Sequence, residues 1–364
     1  MRFPEFTEPW ETAKLGAIAE FSKGTGISKE QRSETGLPCI LYGELYTTYT
    51  NEVIEDVVSK TDLDPTDLVK SQKNDVIIPS SGETAEDIAT ARCVTSDNVL
   101  LGGDLNIIRL VEPNDGRFMS YQLNGIRKYD IAKIAQGVSV VHLYGGDLKM
   151  LSVTFPQSPE QKKIADCISL LDRRISVQSG LIEKLESLIS GIIERITAQS
   201  PNVRIADCLD CHSSTLQENQ LNEAGGYRVY GANGICGYTD NPGINCDAIL
   251  IVKDGSGVGN VSYAMGEYSV IGTSNYLTAK NGYSLRYLYF SLKKFNFAPY
   301  KTGMAIPHIY FKDYGKAKIY CPSLEEQERI ANNLSKIERK IEIERSIKDC
   351  CIVQKQYLLQ QMFI

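Results

Sequence analysis

Nowhere in the 364 residues does an apolar run reach eighteen positions, the length a helix needs to cross a bilayer core. No stretch near the amino terminus combines a basic start, an apolar run and a small-residue cleavage site, as a secretory signal would. A soluble, cytoplasmic protein is therefore expected. Histidine is scarce, with only His142, His212 and His308, so a triad or a histidine-rich metal cluster has almost nothing to be built from. There is no GxxxxGK[ST] phosphate loop and no HExxH helix, which excludes the usual signs of ATP hydrolysis and zinc proteolysis. An excess of positive charge is also missing. The net charge is −6, from 45 acidic and 39 basic side chains, so the chain is no simple electrostatic DNA binder, because neutralising phosphates requires clustered Lys and Arg.

Cysteine is plentiful, with ten residues, but irregularly spaced, which reads as buried free thiols and not as a disulfide framework. One local match, Cys208-Leu-Asp-Cys211-His212, fits a haem-attachment pattern, and Cys236 and Cys246 could be imagined completing a zinc site. Without a second tight cysteine pair or an export signal, no metal is expected.

What the chain does contain is a statement made twice. Gly137-Val-Ser-Val-Val-His142-Leu-Tyr144-Gly-Gly-Asp147, then Phe155-Pro156, Glu160-Gln161 and Ile164-Ala165, returns as Gly303-Met-Ala-Ile-Pro-His308-Ile-Tyr310-Phe-Lys-Asp313, then Cys321-Pro322, Glu326-Gln327 and Ile330-Ala331. Pro322 lies 166 positions after Pro156 (322 − 156), and the other pairs keep that offset. This is an internal duplication of a domain followed by a helix. Weaker matches extend it: Ile18-Ala19-Glu20 with Ile205-Ala206-Asp207, Ile40-Leu-Tyr42-Gly43 with Arg228-Val-Tyr230-Gly231, and Asn74-Asp-Val-Ile-Ile with Cys246-Asp-Ala-Ile-Leu. The framework repeats and the loops differ, as two recognition specificities on one scaffold would require.

From Phe155 to about Gln199 the apolar positions Ile164, Ile168, Leu171, Ile175, Ile182, Leu185, Ile189, Ile192 and Ile196 follow alternating four and three spacings, interrupted only by Gln178. This is a heptad seam. The duplicate helix starts alike with Ile330, Leu334, Ile337 and Ile341, then places Glu344, Lys348, Cys351 and Lys355 in register before Leu358 and Met362, while Ile343 and Ile347 offer a shifted face. Three readings stand: the stripe rotates, the helix meets another protein, or the seam is imperfect but internal. Forty helical residues span roughly 60 Å. Gln178 and Glu344 are repeat equivalents. In an antiparallel pair they either meet as a polar register layer or both face solvent.

The expected fold is α+β: two similar domains, each a curved β-sheet with short helices, separated by two long antiparallel coiled-coil helices with pseudo-twofold symmetry. The expected divisions are domain 1 at 1–155, a central helix at 156–199, domain 2 at 200–321 and a distal helix at 322–364. Gly255-Ser-Gly257-Val-Gly259-Asn260 resembles a cofactor loop but lacks the third glycine of GxGxxG and a following helix, and it sits where Pro79-Ser-Ser81-Gly82 sits in the first half, so a recognition loop is expected.

Groups suited to base edges and phosphates are Lys23, Thr25, Tyr42, Ser80, Ser81, Thr84, Arg92, Gln136, Ser139 and His142 in the first half. In the second they are Tyr230, Asn233, Lys253, Ser256, Ser274, Asn275, Lys301, Thr302 and His308. Such residues also form turns. The paired His142 and His308 fit either a loop anchor or a DNA contact.

With its Gly-containing loop, a β-run ending in Phe155-Pro156 or Cys321-Pro322, the P-x-x-x-E-Q-x-x-I-A motif and a heptad helix, the chain resembles the specificity subunit of type I restriction-modification systems. The opening Arg2-Phe-Pro4 through Trp10 and Leu15-Gly16 is similar to that family's start. The resemblance implies a non-catalytic subunit that reads a bipartite DNA target, one half-site per domain. It implies two methyltransferase subunits docked on the helix pair, supplying S-adenosylmethionine and adenine N6 chemistry, and ATP- and Mg-dependent restriction subunits joining them. Other readings are a methylation-only system, an inactive allele used for recombination shuffling, and a coiled-coil scaffold with two protein-binding heads.

Overall fold

A computed structural model describes residues 2–137, 139–303 and 305–363; Val138 and Met304 of the duplicated loop, with Met1 and Ile364, lie outside the described residues. The chain forms two compact units, Met1–Ser179 with Ser346–Ile364, and Gly180–Arg345. No described helix is long and apolar enough to cross a membrane.

The first unit is built on the strand Asp75–Pro79, buried at all five residues. A strand covered on both faces reads as a continuous apolar run, which Val76-Ile-Ile78 supplies. It lies between Leu105–Leu110 and Arg92–Val94 in a five-stranded sheet, with Ala19–Lys23 at one edge and Val53–Ile54 at the other. A second sheet pairs Leu37–Ile40 with Ser59–Thr61 and Leu100–Leu101. The helix Gly116–Asn124, capped by Asp115, lays Phe118, Met119 and Tyr121 into the larger core.

The second unit repeats this plan. Ala248–Val252, again buried throughout, lies between Ser274–Ala279 and Val261–Ala264, with Leu209–Ser213 at the edge. Tyr227–Gly231 pairs with Gly234–Thr239 and, in parallel, with Ser269–Val270, the counterpart of the smaller sheet. Leu285–Lys293, capped by Ser284, takes the place of Gly116–Asn124. A two-stranded closure also recurs: Glu11–Lys14 with Ser152–Phe155, and Val203–Arg204 with Lys318–Ile319.

The duplicated Glu-Gln motif explains how each head is joined to its helix. Gln161 Nε2 donates to the Pro156 carbonyl at 2.8 Å, and its Oε1 accepts from the backbone N–H of the cap residue Asp115 at 2.9 Å. Gln327 makes the same two bonds, to the Pro322 carbonyl at 2.8 Å and from the cap residue Ser284 at 3.0 Å. Both glutamines are almost fully buried, so the motif is a structural clamp. The preceding acids diverge. Glu160 is buried and receives both Nε and NH2 of Arg2 at 2.7 Å, whereas Glu326 pairs with Arg329 on the surface.

The central helix is Ser158–Thr197 and the distal helix Leu324–Gln361. Within the first unit the start of the central helix (Ile164, Ala165, Ile168) shares a core with the end of the distal one (Leu358, Leu359, Met362, Phe363). Within the second, Ile182, Ile189 and Ile193 share a core with Ala331, Leu334 and Ile341. Start meets end in both cases, the antiparallel sense. The distal stripe does not rotate: Ile343 is exposed, while in-register Glu344 and Cys351 are buried and Lys355 is nearly so.

What looks like a weakened seam is an ion network. Lys355 pairs with Glu52 and, at 2.6 Å, with Asp172, whose other oxygen accepts from Tyr121 Oη at 2.6 Å. Burial pushes the Asp172 carboxyl above the usual carboxylate range, and Lys355 pulls it part of the way back. Glu344 is buried and ion-paired with Lys340 in its own helix. Gln178 belongs to the other unit and keeps a buried Oε1 that accepts no hydrogen bond.

Candidate nucleic-acid interface

In each unit three loops converge at one end of the larger sheet. In the first they are the turn at 42–47, the segment at 80–88 and the loop at 136–142. The last two are zipped together: Val141–His142 pairs with Ser81–Gly82, and Leu143 N–H donates to the Ser80 carbonyl at 2.9 Å. A side chain at Gly82 would collide with Ile88 and come within 3.8 Å of Tyr46 Oη, which places the 42–47 turn alongside. In the second unit, Asp254 bridges His308, Gly255 N–H donates to the Pro307 carbonyl at 3.0 Å, and Ile309 N–H donates to the Lys253 carbonyl at 2.9 Å. Gly257 lies beside Ala232, which brings in the turn at 231–234.

The histidine loop is built identically twice. His142 exchanges both backbone hydrogen bonds with Gln136, at 2.7 and 2.9 Å, and His308 does so with Thr302 at the same distances. Gly137 and Gly303 have φ of +128° and +88°, and a Cβ there would lie 2.1 and 2.3 Å from the carbonyl oxygens of Val140 and Ile306. Only glycine fits so tight a return at positive φ. Each loop exposes an apolar side chain, Val140 or Ile306, and a tyrosine, Tyr144 or Tyr310, stacked beside its histidine.

The residues picked out from sequence fall into two groups. Tyr42, Thr84, Gln136, Ser139 and His142 reach the first loop cluster, with Lys23 and Thr25 exposed on a neighbouring turn held by the Leu105 and Leu101 carbonyls. Asn233, Lys253, Ser256, Lys301, Thr302 and His308 reach the second, whereas Tyr230 packs against the core around Ala248 and Leu250, edge-on to Tyr268. Thr84 also caps the helix Ala85–Ile88.

Five others require correction. Arg92 is buried, with Nε donating to the Leu45 carbonyl at 3.0 Å and NH2 to the Tyr49 carbonyl at 2.8 Å; its position inside the five-stranded sheet turns it inward. Ser80, Ser81, Ser274 and Asn275 are buried as well, because the zipped loops and strand pairing cover them. Asn275 spends its Oδ1 on Ser213 Oγ at 2.8 Å.

Residues that sequence reading missed include Tyr144, Tyr310 and above all Asp254, whose Oδ1 lies 2.6 Å from His308 Nδ1. The signal was present, since Asp254 adjoins Lys253 in the loop equivalent to Ser80-Ser81. Beside the first cluster, Lys29, Arg32, Tyr42, Thr47 and Asp104 help line an open pocket of about 750 Å³. Among the described residues no group of three or more His, Cys, Asp or Glu is placed to hold a metal. Burial pushes the Cys211 thiol up to about 11, so it is held as a neutral thiol.

Two α+β heads, each carrying a polar loop cluster on a repeated frame, define a chain of two similar modules whose loops vary while the scaffold is kept. The chain belongs to the type I restriction modification DNA specificity domain family, which it matches over residues 7–187 and 202–349. Its fold is similar to that of a type I restriction-modification S subunit from M. genitalium, with a TM-score of 0.76 at 19% identity over 100% of this chain and 99% of that one. A chain from a structure of type I R-M complex assembly and conformational transition gives 0.53 at 16% identity, over 98% and 97%. No curated protein matches the sequence.

Proposed function

We propose that this chain is the non-catalytic specificity subunit of a type I restriction-modification complex, and that each head reads one half of a bipartite duplex target. The observation that carries this reading is the loop cluster built twice on the same backbone bonds with different side chains. Lys253 in one head takes the place of Ser80 in the other, each carbonyl accepting from the residue after the loop histidine, and Asp254 takes the place of Ser81 across from that histidine. A common frame positions the heads, and unlike groups read unlike base pairs.

Two methyltransferase subunits dock on the helix pair in this proposal, and restriction subunits join them. Exposed Leu170, Val177, Leu188, Ile343, Val353 and Tyr357 on the outer helix faces support docking. Partners resolve the charge problem too, since Glu83, Glu86, Asp87 and Asp104 surround the first loop cluster and phosphate neutralisation has to come from elsewhere. S-adenosylmethionine, ATP and Mg are assigned to those partners.

The test is long-read detection of methylated adenine in cells expressing this chain with its methyltransferase, alongside a gel shift of the co-purified complex. A two-part motif with a fixed gap supports the proposal. A contiguous motif, or retention of the coiled coil with proteins but no DNA shift, points to a scaffold instead.

A further inference from the structure

We infer that His308 reads a base in the second half-site, and that Asp254 fixes it as a hydrogen-bond acceptor, so that it selects an exocyclic amino group. The inference rests on the bipartite reading above and adds a residue, a chemistry and an asymmetry between the heads.

His308 sits where two loops distant in sequence are zipped, with Asp254 directly across the bridge. The 2.6 Å contact joins Nδ1 to a carboxylate, which can only accept, so in the neutral ring Nδ1 carries the hydrogen and Nε2 is left with a lone pair. Nε2 makes no hydrogen bond among the described residues, and about a third of the side chain is exposed. A Cβ at Gly303 would come within 3.2 Å of His308 Cδ2, so glycine there leaves room for the ring. Tyr310 stacks at 6.4 Å between centroids. The ring is therefore oriented by Asp254 and Tyr310 while its other nitrogen remains available.

Around it lie exposed Ser256, Lys301, Thr302 and Ile306, polar and apolar groups of the kinds that meet base edges and the thymine methyl. In the major groove an acceptor complements the N6 amino group of adenine or the N4 amino group of cytosine, and is opposed by the O6 of guanine and the O4 of thymine.

The first head lacks this device. His142 occupies the same backbone position, but its bridge partner is Ser81, a hydroxyl that can donate or accept. Among the described residues no side chain bonds a ring nitrogen of His142, so its tautomer can follow either kind of base edge. A loop with identical backbone bonds thus discriminates in one head and tolerates in the other.

The experiment uses the assembled complex of this chain with its methyltransferase, comparing wild type, His308→Ala, His308→Gln, Asp254→Ala and His142→Ala by methylome sequencing. Competition binding to oligonucleotides substituted at each position of either half-site accompanies it. His308→Ala is expected to relax one adenine- or cytosine-bearing position of the second half-site by roughly tenfold, leaving the first half-site unchanged. Asp254→Ala is expected to admit guanine or thymine there, because the ring can now present N–H at Nε2. An intact first half-site in the same variant shows that the complex is folded; if His308→Ala does not assemble, His308→Gln supplies the reading.

Uniform weakening across all sequences, or weaker association with the methyltransferase at an unchanged motif, overturns base reading by His308. Relaxation by His308→Ala with none by Asp254→Ala overturns the tautomer assignment. Failure of the wild-type complex to give any two-part motif is a different result, which removes the bipartite reading itself.

Discussion

At the scale of single residues, what each side chain touches separates structural parts from reading parts. Arg92 is by type a group suited to base edges or phosphates, yet its donors are used by the Leu45 and Tyr49 carbonyls. Arg92→Ala strands those acceptors at about 1–3 kcal/mol each. Urea unfolding should therefore show a loss on the order of 2 kcal/mol or more, while the methylated motif stays the same; a changed motif would restore Arg92 to the interface. Gln161 and Gln327 are structural in the same sense, and Gln161→Ala should cost a similar amount.

Lys355 offers a pH-dependent case. Breaking a buried ion pair from one side costs about 3–5 kcal/mol, so Lys355→Met should destabilise strongly at pH 7. The raised Asp172 carboxyl fixes the sign. A carboxyl whose folded pKa lies above its unfolded value favours the native state while protonated, and that contribution is lost as pH rises through the folded value. The deficit of Lys355→Met should therefore shrink as pH falls from 7 towards 5, and denaturant melts at the two pH values measure it. An equal deficit at both would show that Asp172 is not the group left unpaired. None of this was legible in sequence, where Glu52, Asp172 and Lys355 are separated by long stretches and Lys355 reads only as a polar interruption of a heptad.

Among the elements, strands, helices and their order followed from pattern because period and run length are local properties. Asp75–Pro79 and Ala248–Val252 are visible as apolar runs, and the helix after Pro156 as a four-three spacing whose one polar position is Gln178. The loops were legible only as a set of plausible residue types. Whether Ser80 or Ser274 faces water depends on strand pairing with residues far along the chain, while Gln136, Thr302 and the two histidines were traceable through the duplication itself.

The element-scale prediction follows from the zipped loops. Replacing Lys253–Ser256 with the residues of another specificity should alter only the second half of the methylated motif, because that loop is tied to 302–309 within its own unit. A change confined to the first half would reverse the assignment of heads to half-sites.

For the whole molecule, the sequence repeat and the structural repeat agree down to individual hydrogen bonds, which is what a duplicated domain-plus-helix unit predicts. On the proposed function, partners share the backbone contacts that an acidic chain lacks, so binding by the complete complex should show a much steeper salt dependence than this chain alone can produce.

The claim that two heads read two half-sites at a distance set by helices is tested most directly by inserting one heptad into each long helix, after Gln178 and after Glu344, and sequencing the methylome. Seven helical residues add about 10 Å, or roughly three base pairs at 3.4 Å each. The account predicts the same two half-sites with a gap longer by about that number. Unchanged spacing with retained methylation would contradict it.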